Sequence, residues 1–120
     1  MDATEEFWTY LDRLVAGSRL VIEQRRGTAD PSHPALVYPA DYGYLEGTCS
    51  PDREGIDVWV GGEGGRQVRG IVCTVDLAKR DSEVKLLVGC SDEEMRRIAS
   101  FQCIGAMRGL LVSRRGRSQP

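Results

Sequence analysis

Apolar residues at Phe7, Trp8, Leu11, Leu14 and Val15 recur at helical spacing and fall on one face. Asp2 with Glu5 three residues later makes a capping box ahead of them, and Gly17 stands where the helix should end. The pattern predicts a helix over 1–16. Beyond it come short β-type runs at Arg19 to Glu23, Ala35 to Tyr38, Ile56 to Val60, Gln67 to Val75 and Val84 to Val88. A loop from Gln24 to Pro34 divides the first two, and glycine-rich or charged turns such as residues 61–65 divide later ones. Ser91 and Glu94 form a second capping box, opening a helix with apolar positions at Met95, Ile98, Ala99 and Cys103. Gly105 closes it, and Gly109 to Val112 form a last strand. Short strands at this spacing between two helices predict a small barrel.

Composition narrows the class. A chain of 120 residues with 41% hydrophobic and 28% charged residues suits one globular domain over 1–120, with a polar basic tail at 113–120. No apolar run approaches the roughly 20 residues that span a bilayer, and the first residues are acidic, so a cytoplasmic protein without a membrane partner is expected. Cys49, Cys73, Cys90 and Cys103 form no C-x-x-C pair, and His33 is the sole histidine, so reduced structural thiols are expected instead of a zinc site. The first sixty residues carry 11 acidic and 5 basic groups, the last sixty 7 and 11. That acidic first half, with 7% aromatics, argues against a nucleic-acid module, whose basic surplus would rest on Arg114, Arg115 and Arg117 in a solvated tail.

The candidate chemistry lies between Tyr38 and Trp59. Asp52, Glu54 and Asp57 stand at a turn and at the start of a strand whose alternation puts Ile56, Val58 and Val60 on one face and Asp57 on the other. Three acids so close repel one another unless a cation or basic partner compensates, and hard oxygen donors without a nearby histidine favour Mg²⁺ over zinc. Read by itself, the same stretch is also an ordinary polar turn.

The order Tyr38-Pro39-x-x-Tyr42-Gly43-Tyr44, a spacer, then Asp52-x-Glu54-x-x-Asp57-Val58 resembles the core of the soluble family I inorganic pyrophosphatases, whose signature is Asp-x-Asp-Pro-x-Asp. The resemblance covers roughly residues 20 to 90. It implies an OB-like five-stranded barrel that hydrolyses pyrophosphate with Mg²⁺ at its mouth, and with limited core a homo-oligomer is expected. It also implies that Asp52 and Asp57 hold metal, that Tyr42 contacts a phosphate oxygen, and that Glu54 occupies the position of the general base. Asp76 and Asp81 match two later metal-binding aspartates of the family. The family's phosphate-binding lysine follows the second by two positions, whereas Lys85 follows Asp81 by four, so either the turn is longer here or Glu83 takes the second role. Glu23, Arg25, Arg26 and Arg108 are the remaining substrate-binding candidates. Pyrophosphate or another phosphate-bearing small molecule is the implied ligand.

Departures from the family also stand in the sequence. Glu54 adds a methylene to the base position, about 1.5 Å of reach. Gly55 replaces the signature proline, which should loosen the turn. The family's C-terminal tyrosine-lysine pair is missing from Ile104-Gly105-Ala106-Met107-Arg108. A degenerate relative that binds a phosphate-bearing ligand without efficient turnover is therefore the alternative.

Overall fold

The structure is a computed structural model and describes residues 2–50 and 55–114. Helix α1 (Ala3–Ala16) precedes strands β1 (Arg19–Gln24), β2 (Asp41–Glu46), β3 (Ile56–Val60), β4 (Val68–Asp76) and β5 (Asp81–Val88). Helix α2 (Asp92–Phe101) and strand β6 (Met107–Ser113) follow. Both capping boxes form: Asp2 accepts from the Glu5 N–H at 2.8 Å, and Ser91 Oγ accepts from the Glu94 N–H at 3.1 Å. The second helix ends earlier than its apolar pattern suggests, at Gln102, so Cys103 and Gly105 lie beyond it.

The strands make one mixed sheet in the order β1-β2-β3-β5-β4-β6. All neighbours are antiparallel except β3 and β5, which run parallel. The fold is mainly β and compatible with the OB-like description. The sheet is not closed, however, and it has six strands instead of five because β6 adds to β4. One predicted strand is corrected. In the run from Ala35 to Tyr38 only Val37 makes an isolated bridge, to Ala29, and the strand lies at β2 instead. Gly43 lets β2 approach β1 closely, since a Cβ there would lie 1.8 Å from the Val21 carbonyl oxygen.

Each face of the sheet carries a helix. Trp8 and Val15 of α1 pack with Leu45, Val58, Ile71 and Leu86 on one face. Met95 and Ile98 of α2 pack with Trp59, Val72 and Leu87 on the other. Residues alternate between these two cores, so β3 and β5 are apolar on both faces, as central strands covered on both sides are. Of the expected tail only the first two residues are described: Ser113 closes β6, and Arg114 donates to Asp12 of α1 at 3.0 Å and to the Val68 carbonyl at 2.9 Å. Arg115 and Arg117 lie outside the described residues.

Candidate functional site

Register assembles the site. Pairing of β2 with β3 sets Tyr42 against Trp59 and Tyr44 against Asp57, which puts Tyr42 and Asp57 on one face. The parallel pairing of β3 with β5 matches Val58 with Leu86, and one step back along the same register Asp57 meets Lys85. Both residues sit where these strands leave the α2 core. Lys85 Nζ donates to Asp57 Oδ2 at 2.6 Å and to the Tyr42 hydroxyl oxygen at 3.1 Å, while the Tyr42 hydroxyl donates to the same Asp57 oxygen at 2.8 Å. Glu83 Oε1 lies 3.5 Å from Lys85 Nζ.

The junction is largely closed to water, with side-chain exposures of 9% for Lys85, 15% for Asp57 and 8% for Glu83. A buried ammonium needs a carboxylate partner, and Asp57 supplies one. Burial pushes the Tyr42 phenol far above its ordinary pKa, and the Asp57 charge and hydrogen bond add to the shift. Tyr42 thus acts as a fixed donor to Asp57.

The other sequence candidates are placed as follows. Asp52 and Glu54 lie outside the described residues. Asp76 and Asp81 face each other at the β4–β5 hairpin, and Asp76 Oδ1 accepts from the Ala78 and Lys79 N–H groups at 2.9 and 3.0 Å. Of the two acids left open for the second late position, Glu83 is the one beside Lys85 and Asp57. Arg25 reaches Asp41 at 3.4 Å, and the Arg26 backbone N–H donates to the same carboxylate at 2.8 Å. Arg108 donates to the carbonyls of Gly105 and Met107, and Glu23 is exposed at the end of β1. Among the described residues no contact joins these four to the junction. Gly55 is no loosened proline: it is buried at φ 116°, a conformation that the proline ring cannot adopt, with a Cβ position 2.6 Å from the Leu45 carbonyl oxygen.

The sequence reading missed an aromatic cluster beside the junction. Tyr42 and Trp59 have ring centroids 4.5 Å apart, and Tyr38 and Phe101 pack against the Trp59 ring at 5.8 and 5.6 Å. Trp59 Nε1 donates to Gln102 Oε1 at 3.0 Å, a buried bond linking β3 to the residue that ends α2. Alternation could have placed Trp59 on the Asp57 face, but nothing in the sequence sets Phe101 against it.

A divalent ion fits the donor chemistry, since the acids are hard oxygen donors and Asp76 Oδ2 has no protein partner among the described residues. It is not assembled by them alone: among the described residues no three His, Cys, Asp or Glu side chains converge.

The inorganic pyrophosphatase of Helicobacter pylori is similar in structure, with a TM-score of 0.57 at 16% identity over 78% of this chain and 81% of that one. An inorganic phosphatase of Anaplasma phagocytophilum gives 0.56 at 15% identity over 78% and 81%. The inorganic pyrophosphatase of Neisseria gonorrhoeae gives 0.54 at 14% over 74% and 77%. No family sequence model matches the chain, and no curated protein matches it by sequence. The chain has a pyrophosphatase-like fold. No helix among the described residues is long and apolar enough to cross a membrane.

Proposed function

We propose that the chain is a compact Mg²⁺-dependent inorganic pyrophosphatase. The observation that carries this reading is the meeting of Tyr42, Asp57 and Lys85, three residues that the resemblance singled out from three separate strands. Taking Glu83 as the second late acid also puts Lys85 two positions behind it, the family spacing.

Charge supports the metal. The Lys85 ammonium is matched by Asp57, and Asp76 lines the same cleft as Tyr42, so a polyanion would approach only with a divalent cation of its own. Asp52, Asp57 and Asp76, with Glu83 as the second late acid in place of Asp81, are the residues that would hold Mg²⁺, and Glu54 stands at the position of the general base. Once bound, the ion would neutralise phosphate oxygens and lower the pKa of a bound water. Tyr42 and Lys85 hold the Asp57 carboxylate in place. A homo-oligomer belongs to the same proposal, supported by Leu110 and Val112, which stand exposed on the edge strand β6.

A second reading, binding without efficient turnover, is favoured by one observation: Asp57 Oδ2 is already engaged by Lys85 and Tyr42. Phosphate release from pyrophosphate, measured with and without Mg²⁺ on the wild type and Asp57→Asn, separates the two. The first reading expects Mg²⁺-dependent release that falls by about 10²-fold or more in the variant. Pyrophosphate binding without release would select the second.

A further inference from the structure

A cleft of about 520 Å³ opens beside the junction, with Tyr42 as a wall common to both. This volume lies within the range of about 300–1,000 Å³ seen for small-molecule sites. Trp59 forms its floor, Tyr38 and Phe101 are half-buried in its walls, and Ile104 and Met107 extend the apolar surface. Asp30 and Asp76 line it together with His33, whose Nδ1 lies 3.5 Å from Asp30 Oδ2, and among the described residues no lysine or arginine does.

This lining suits part of a ligand that is not phosphate. Away from the junction a free phosphate group would meet the Asp30 carboxylate and a ring of aromatic and apolar side chains, with no lysine or arginine among the described residues to receive it. A flat ring bearing positive charge would meet aromatic faces that attract cations, together with the Asp30 carboxylate at the rim. Asp30 accepts from the Tyr38 hydroxyl at 3.0 Å, which fixes it against the aromatic wall. The same hydrogen bond holds its carboxyl below the ordinary pKa, so it stays ionised at neutral pH. On the opposite side stands Asp76, which belongs to the proposed Mg²⁺ set and so marks where the cleft meets the phosphate end.

We infer that the cleft binds the organic part of a diphosphate ester, a positively charged heteroaromatic ring, while the diphosphate lies at the Tyr42–Asp57–Lys85 junction. This deepens the pyrophosphatase reading and rests on it. The site is bipolar: a metal-accompanied phosphate end at the strand junction and an acidic aromatic end between the 30–38 loop and the 101–107 segment.

Calorimetric titration in the presence of Mg²⁺ tests it with three probes: pyrophosphate, ADP as a diphosphate with a neutral ring, and thiamine diphosphate as one with a cationic ring. Wild-type protein should bind thiamine diphosphate at least about tenfold more tightly than pyrophosphate, with ADP between them. Asp30→Asn, which keeps an acceptor for Tyr38, should bring thiamine diphosphate close to ADP and leave pyrophosphate within about twofold. Ala106→Trp, on an exposed part of the cleft lining, should bring both ring-bearing probes down to the pyrophosphate level. Equal binding of all three probes with Ala106→Trp silent would overturn the inference and leave the pyrophosphatase reading standing. ADP binding as tight as thiamine diphosphate, with Asp30→Asn silent, would also overturn it. Failure of every diphosphate to bind would bring down both.

Discussion

Asp57 receives the Lys85 ammonium and the Tyr42 hydroxyl through a single oxygen, so the three residues stand or fall as a unit. Lys85→Met removes the cation and leaves a mostly buried carboxylate uncompensated, which should cost about 3 kcal/mol. Combining it with Asp57→Asn removes the orphaned charge as well. The double variant should return to within about 1 kcal/mol of wild type, because a buried ion pair replaced as a whole is often nearly neutral. Urea denaturation of the four proteins, treated as a double-mutant cycle, reads the coupling directly, and additive losses would deny it. The sequence showed that Tyr42, Asp57 and Lys85 carry the resemblance, but not that they touch. Contact depends on the parallel register of β3 against β5, which leaves no periodic trace in either strand.

Helices and central strands were legible for a physical reason. Capping boxes are local, and an apolar face repeats every few residues whatever the rest of the chain does. The run from Ala35 to Tyr38 misled because its apolar residues serve a loop: Tyr38 turns into the aromatic cluster and Leu36 into the cleft. Strand β2 was hidden because Asp41 and Gly43 weaken its propensity, while its pairing on both sides outweighs that deficit. Helix α2 has an anchor of the same long-range kind. Glu94 Oε1 closes its own cap on the Ser91 N–H at 2.8 Å, and Oε2 accepts from the Gly62 N–H at 2.9 Å, tying the helix start to the turn after β3. Burial disfavours the Glu94 carboxylate, but these donors outweigh it and hold its pKa below the ordinary value. A depressed folded-state pKa means that the anchor stabilises above the unfolded value of about 4.3 and fades as pH falls through the folded one. Glu94→Gln should therefore cost about 1–2 kcal/mol at pH 7, and the difference from wild type should shrink below pH 4 in thermal melts. A constant difference across that range would show that the charge is immaterial.

Across the whole molecule the strands fall into two groups, β1-β2-β3 and β5-β4-β6, and the pairing that joins them is the seam of Val58 with Leu86, Trp59 with Leu87 and Val60 with Val88. Asp57 belongs to the first group and Lys85 to the second, so the site exists only when the two are docked. Parallel pairing across an intervening strand closes a long loop and is expected late in folding. Lys85→Met should thus speed unfolding and leave the folding rate within about twofold, as interactions formed after the transition state do. Stopped-flow chevrons in urea would show this, and a folding rate reduced in proportion to the lost stability would place the seam early instead. The order of assembly carries a hazard. A nascent chain halted before docking holds β3 and β5 with open edges matched to each other in register, and two such chains could satisfy those edges reciprocally, each taking its neighbour's half and forming an intertwined dimer with two complete sites.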